Sequence, residues 1–293
     1  MPSRYRMLAL DLDGTLLDAR GRLHPASIDA VMRARAQGLR VMICTGRGLV
    51  ESKSFMHELG QTDPVAVAGG AITADPVSNA TVRRIAMASD LTALVCGALL
   101  SEGHAPLVLK DPSAAGFDYL IPASETMIDP VTRWWFETNR VSVRYADAIT
   151  DDEHAEHTIR VGMVADADEA QRVAKIVERA VGVRALMHAF KAVVGPEITG
   201  AGERTVHIVE AFDAGAGKWP AILHEAGKHG IEPGEIAAIG DEINDLGMIE
   251  SAGLGVAMAN AADAVKAVAN RETGHHDEGG AGAAIEKILN GIW

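Results

Sequence analysis

Cysteine is nearly absent from this chain. Its 293 residues hold only Cys44 and Cys96. Two cysteines so far apart do not form a disulfide framework, so a stapled secreted domain is excluded and a reducing cytoplasm is the simplest setting. Positive charge is in deficit too. There are 27 Lys and Arg against 40 Asp and Glu, for a formal net charge of -13. An acidic surface repels nucleic acid and anionic lipid, so neither is expected as a partner. It also repels a phosphorylated ligand, so any phosphate site must carry its own cations: a metal ion, or a placed Lys or Arg. Long apolar runs are missing as well. The opening MPSRYRMLALDLDGT has a short apolar stretch that runs straight into acids, and reads as neither signal peptide nor membrane span. No internal repeat and no low-complexity tract is visible.

What is present is core-forming material, with 48% hydrophobic residues, in a length that suits two domains of unequal size. Met7 to Leu12 is an apolar run closed by acids, as expected of a strand buried on both faces. Pro25 through Ala36 has helical spacing, with Ile28, Val31 and Met32 on one face and Gly38 as a stop. Arg40 to Cys44 reads as a second strand, Gly48 to Leu59 as a helix, and Pro64 to Ala68 as a third strand. This βαβαβ order predicts a parallel sheet with right-handed crossovers. The pattern returns late in the chain. Gly217 to His229 reads as a helix and Glu235 to Ile239 as a strand. Ile243 to Glu250 then reads as a helix, Gly253 to Ala257 as a strand, and Gly282 to Leu289 as a closing helix. Between them the strands look shorter and more polar, as at Val141 to Tyr145, Ile159 to Val164 and Thr205 to Val209, with an amphipathic helix over Ala167 to Val181. The expectation is a doubly wound α/β core from residues 1–82 and 212–293, with an α+β domain inserted at 83–211.

In an open parallel sheet, ligands sit outside the carboxyl ends of the strands. Asp11-Leu12-Asp13-Gly14-Thr15 follows the first strand, Thr45-Gly46-Arg47 the second, and Gly240-Asp241-Glu242-Ile243-Asn244-Asp245 a later one. Lys218 lies near the start of the helix before that later strand. Asp11 and Asp13, at i and i+2 on extended chain, can project the same way, one as nucleophile and the other as general acid and base. Asp241 and Asp245 can complete an oxygen site for Mg²⁺. Thr45 and the amides near Gly46 can donate to phosphate oxygens, and Lys218 adds a point charge. Asp11 and Asp13 can equally be turn and cap residues, since Asp-Gly marks turns. The full string Asp-x-Asp-Gly-Thr is tighter, with a chance match on the order of one per cent in a chain this long.

The sequence resembles the haloacid dehalogenase-like (HAD) hydrolases, in the Cof-like branch with a large inserted cap. LALDLDGTLLD is similar to the first motif, ICTGR to the second, Lys218 to the third and GDEINDLGMIE to the fourth. AGLGVAMANA is similar to the segment that follows. The resemblance implies a HAD-like, Rossmannoid core and a magnesium-dependent phosphatase acting on a small phosphorylated metabolite such as a sugar phosphate. Asp11 would be the nucleophile, Asp13 the acid and base. Thr45, Gly46 and Lys218 would bind the phosphoryl group, and Asn244 would face the phosphate or Lys218. Mg²⁺ would be held by Asp11, the Asp13 carbonyl oxygen and Asp241, with Asp245 nearby. The cap would close over the site. A phosphomutase of the same superfamily is the alternative, and a phospho-accepting signalling module a more distant one. Two departures stand out: Gly69-Gly70 where the branch has Asn-Gly, and Ala216-Gly217-Lys218-Trp219 around the lysine.

Other signals are weaker. Trp134-Trp135-Phe136, the only dense aromatic patch, reads as packing or interface, with contact to a substrate as the other reading. His275-His276 with Asp277 and Glu278 reads as a solvated loop, a metal site being the other reading. His154 and His157 read as surface. Cys44 reads as a core thiol. Arg47 can contact phosphate or pair with an acid at the helix start.

Overall fold

The computed structural model describes residues 4–194 and 204–293. They form two compact units, one from residues up to 83 and from 217 onward, the other from 84 to 216. Among the described residues, no helix is long and apolar enough to cross a membrane.

The first unit starts with β1 (Met7–Leu10), whose four side chains are all buried. Helix α1 (Pro25–Ala36) follows, with Pro25 at its first turn and His24 Nδ1 accepting from the Ala26 amide. Its buried face is Ser27, Ala30, Val31 and Ala34, whereas Met32 is exposed. This differs from the expected Ile28, Val31 and Met32 face. The reason is a close helix–helix approach that accepts only small side chains. Strand β2 (Arg40–Ile43) and helix α2 (Leu49–Glu58) come next. Strand β3 (Val65–Val67) touches the main sheet through one parallel bridge, Cys44 to Ala66. It then forms a separate three-stranded sheet with β4 (Ile72–Ala74) and β5 (Thr81–Arg84).

The second unit is a six-stranded sheet carrying two long helices. Its elements are α3 (Ser89–Ser101), β6 (Leu107–Lys110), α4 (Pro112–Ala115), β7 (Tyr119–Ile121), α5 (Pro130–Thr138), β8 (Val143–Tyr145), β9 (Thr158–Ala165), α6 (Ala167–Val181), β10 (Ala185–Val194) and β11 (Arg204–Asp213). The strand order is β10-β11-β9-β6-β7-β8. Only β7–β8 is parallel. Val161, Met163, Val209 and Ala211 pack against Leu91, Val95, Val173 and Val177 of α3 and α6. β10 and β11 are ten residues each; β11 runs past the expected Thr205 to Val209 at both ends because it has an antiparallel neighbour along its whole length. Phe136 is buried against Tyr119, with ring centroids 4.9 Å apart, while Trp134 and Trp135 are half-buried. His154 is not a plain surface residue: its ring meets Phe117 edge-on at 5.5 Å.

The chain re-enters the first unit with α7 (Lys218–Lys228) and β12 (Ile236–Gly240). A 3₁₀ turn at Ile243–Asp245 precedes α8 (Leu246–Ser251), where one continuous helix was expected. The break arises because the Asp245 carboxylate accepts from the amides of Asp241 and Glu242. Then come β13 (Leu254–Ala257), α9 (Asp263–Val268), β14 (Arg271–Glu272), a 3₁₀ turn at His276–Glu278 and α10 (Gly280–Leu289). A Cβ on Gly282 of α10 would sit 2.6 Å from the Ala26 carbonyl oxygen, which is the close approach that shapes α1. The main sheet runs β14-β13-β12-β1-β2, all parallel. It is the parallel α/β core expected from the sequence. Chain direction across the sheet reverses between β1 and β12, so the switch-point crevice lies at their carboxyl ends.

Candidate active site

Asp11 leaves the end of β1 with its amide bonded to the Ile239 carbonyl of β12. It is buried, and so is Lys218 at the first turn of α7. The Lys218 ammonium donates to Asp11 Oδ1 and to Asp245 Oδ1, both at 2.6 Å. Burial opposes the charge on Lys218, but Asp11 and Asp245 outweigh it and hold the pKa above the ordinary lysine value. The lysine is therefore a fixed cation. Asp245 uses its other oxygen to accept the amides of Asp241 (3.0 Å) and Glu242 (3.1 Å), which holds the turn after β12 closed.

Asp241 receives a hydrogen bond at Oδ1 from Thr15 Oγ1 (2.9 Å) and at Oδ2 from Asn260 Nδ2 (3.3 Å). Gly14 makes room for it. Its φ is +74°, and a Cβ there would lie 2.2 Å from Asp241 Oδ2. Burial pushes the Asp241 carboxyl up to about 7, and Asp245 adds to the shift. Burial likewise raises Asp11 well above the usual carboxylate range, with Asp245 reinforcing and Lys218 partly offsetting it. One ammonium does not balance this cluster. Asp11, Asp241 and Asp245 each present a carboxylate oxygen within 4.8 Å of the others. An all-oxygen donor set with an excess of buried negative charge fits a hard divalent cation.

Asp13 is set apart from these groups. Its side chain is half exposed, against 6% for Asp11. Arg47 Nε and Nη2 both donate to its carboxylate, Nε at 2.8 Å to Oδ2. The guanidinium also lies 5.3 Å from the Phe55 ring centroid. Arg47 thus pairs with an acid, but with Asp13 in the segment after β1 and not with the acid at the start of α2, Glu51.

Thr45, just past β2, is fully buried. Its hydroxyl oxygen accepts the Arg47 amide at 3.1 Å. A Cβ on Gly46 would be 3.6 Å from Asn244 Nδ2, so these two segments face each other. The Asn244 side-chain oxygen is buried with no hydrogen-bond partner. Cys44 is inert: burial raises its thiol pKa above the ordinary value.

The turn after β3 holds the Gly69-Gly70 pair, in which Gly69 is the departure and Gly70 the glycine that the branch also has. Ala68, Gly69 and Gly70 all have positive φ. A Cβ on Gly70 would fall 2.3 Å from the Gly217 carbonyl oxygen and 2.7 Å from the Lys218 amide nitrogen. Only glycine lets this turn lie against the start of α7.

Three contributors were not singled out from sequence: Thr15, Gly14 and Asn260. Thr15 and Gly14 sit inside the Asp-x-Asp-Gly-Thr string, and Asn260 inside the AGLGVAMANA segment. Those strings were the available signal. The His275–His276–Asp277 group also brings metal-type ligands together. Its atoms already serve the loop: His276 Nδ1 pairs with the Leu17 carbonyl oxygen, and Asp277 Oδ1 accepts from the Ala19 amide.

Comparison with known proteins identifies the family. Residues 8–285 match the family model described as haloacid dehalogenase-like hydrolase. The chain belongs to this family. It is 27% identical over 297 residues to the putative phosphatase YxeH of Bacillus subtilis, covering 97% of this chain and 98% of that one. It is 29% identical over 268 residues to the pyridoxal phosphate phosphatase YbhA of Escherichia coli, covering 90% and 92%. A haloacid dehalogenase-like hydrolase from Bacteroides thetaiotaomicron has the same fold, with a TM-score of 0.76 at 23% identity over 97% of this chain and 99% of that one. The enzyme is a phosphatase by class.

Proposed function

We propose that this enzyme hydrolyses the phosphomonoester of a small metabolite with Mg²⁺ bound, through an aspartyl-phosphate on Asp11. The reading rests above all on Lys218, whose ammonium holds the Asp11 oxygen at the end of β1 while Asp241 and Asp245 converge beside it. Asp11 attacks phosphorus. Asp13 gives a proton to the departing oxygen, and the alcohol leaves. Asp13 then takes a proton from a water that attacks the aspartyl-phosphate, releasing inorganic phosphate and restoring the Asp11 carboxylate. The exposure difference suits these roles, since the acid must reach the leaving group and the nucleophile must not be solvated. Lys218, Thr45, the Gly46 amide and Asn244 bind the phosphoryl oxygens, where fixed donors stabilise developing charge. Asp11, the Asp13 carbonyl oxygen and Asp241 would hold Mg²⁺, with Asp245 behind them. When bound, the ion shields the carboxylates from the phosphate and orients it.

The substrate is assigned by class only. The pyridoxal phosphate phosphatase among the relatives supports a small phosphorylated metabolite, and sugar phosphates belong in the same test set. The test is a panel of such phosphomonoesters assayed with Mg²⁺ and with EDTA. Release of inorganic phosphate in the first arm alone is expected. Undiminished turnover in chelator, or no release from any compound, rules the reading out.

A further inference from the structure

Asp241 is held from both sides, and one of its two donors belongs to a longer circuit. Asn260 lies in the loop between β13 and α9. Its Nδ2 donates to the Gly14 carbonyl oxygen at 2.8 Å and to Asp241 Oδ2 at 3.3 Å, one hydrogen for each. Its Oδ1 accepts the His276 amide at 3.1 Å. The orientation of the side-chain amide is therefore fixed by its partners: turning it over would set NH₂ against N–H and carbonyl against two acceptors. The same loop grips the Asp241 segment through the backbone, with the Met258 amide on the Gly240 carbonyl and the Ala262 amide on the Asp241 carbonyl. His276 closes the circuit by pairing its Nδ1 with the Leu17 carbonyl oxygen at 2.7 Å. Residues 14–17, 241, 260 and 276 are thus one hydrogen-bonded ring around a single carboxylate.

The chemistry of that ring is specific. Thr15 takes Asp241 Oδ1 and Asn260 takes Oδ2, so the plane of the carboxylate is set. Each oxygen keeps a further lone pair, and one of the two oxygens lies within 4.8 Å of carboxylate oxygens of Asp11 and Asp245. Both donors are neutral, so they orient the carboxylate without cancelling its charge.

We propose that Asn260 is a positioning residue for the metal-binding carboxylate: it holds Asp241 in its ligating orientation and so sets the affinity of the acidic centre for a divalent cation, without touching substrate. This rests on the metal-dependent reading above. Groups that orient a metal ligand in this way typically change metal affinity about 10- to 100-fold when removed.

The experiment reads metal binding directly. Purified full-length enzyme is titrated with Mn²⁺, which shares the oxygen preference of Mg²⁺, and free ion is followed by its electron paramagnetic resonance signal. Asn260→Ala should raise the dissociation constant by about tenfold or more. The Mg²⁺ concentration for half-maximal activity should rise in parallel, while kcat at saturating Mg²⁺ stays within about threefold of wild type. Asn260→Ser, which stays polar but cannot span to Asp241, should behave like Asn260→Ala and serves if that variant does not fold. His276→Ala keeps the backbone amide that Asn260 needs and loses the bond to Leu17 and the ring contact with His275. It should lower the melting temperature and leave Mn²⁺ affinity within about twofold. If wild type binds Mn²⁺ and the Asn260 variants bind it equally well, the positioning role is wrong and the metal reading stands. Equal weakening in the Asn260 and His276 variants would reduce Asn260 to a general structural part. If wild type binds no Mn²⁺, the metal reading fails and takes this inference with it.

Discussion

Lys218 Nζ lies 2.6 Å from Asp11 Oδ1 across 207 positions of sequence, with the Asp245 carboxylate equally close on its other side. The ammonium separates two buried acids that would otherwise face each other unscreened. Lys218→Ala should lower kcat/KM by about 2 to 4 kcal/mol of transition-state stabilisation, the range for one preorganised donor. A loss under tenfold would indicate that Arg47 carries the phosphoryl charge instead.

The two aspartates of the first segment should separate cleanly. Asp13→Asn removes proton transfer but leaves the nucleophile. With nitrophenyl phosphate, whose leaving group needs little protonation, this variant should still be phosphorylated and then dephosphorylate slowly. Intact mass after a rapid acid quench should show an added phosphoryl group. Asp11→Asn should show none. Label on Asp11→Asn at the wild-type rate would mean that the nucleophile lies elsewhere.

Stability of the metal-free enzyme should depend on pH through Asp241. The folded chain keeps this carboxyl protonated up to about 7, whereas the unfolded chain releases the proton near pH 4. Between those values the folded state binds more protons, so this contribution falls as pH rises. It is present in full below about pH 4 and gone above about pH 7. In EDTA, the melting temperature of wild type should therefore decline relative to Asp241→Asn across this window. Parallel pH profiles for the two proteins would contradict the assignment.

Gly70 and Gly60 make a matched pair. Both have positive φ, but a Cβ on Gly60 meets nothing within 4 Å while one on Gly70 collides with Gly217 and Lys218. Gly60→Ala should cost about 1 to 2 kcal/mol of stability from backbone strain alone and leave kcat untouched. Gly70→Ala should cost more in thermal unfolding and also lower kcat, because the start of α7 must move and Lys218 with it. Equal kcat in the two variants would remove the link between this turn and the lysine.

In the second unit, Lys110 is fully buried and pairs with Asp152, with a further bond to Thr158 Oγ1 at 2.7 Å. Lys110→Ala strands the Asp152 carboxylate and should destabilise by about 3 to 5 kcal/mol. Chemical denaturation followed by circular dichroism checks this. A change below about 1 kcal/mol would mean that water reaches Asp152.

The strands of the core were legible in the sequence because a strand buried on both faces must be apolar throughout, and short apolar runs such as Met7 to Leu10 have few other uses. Helix faces were less legible. The face of α1 was misjudged at Met32, since burial there follows from how closely α10 approaches, and a glycine 250 residues away decides that. Strand β11 looked short, as Thr205 to Val209, because the antiparallel pairing that extends it leaves no local mark.

The amino-acid sequence by itself determined the alternation of strand and helix, and with it the loop segments that carry Asp11, Thr45 and Asp241 past the strand ends. These follow from local periodicity and from the obligatory pairing of backbone groups. Only the tertiary structure decided which partners meet there: Lys218 between Asp11 and Asp245, Arg47 on Asp13, and Asn260 on Asp241. Hydrogen bonds between residues 19 to 246 positions apart depend on the order of strands in the sheet. That order is set by the packing of the whole unit, and no stretch of sequence contains it.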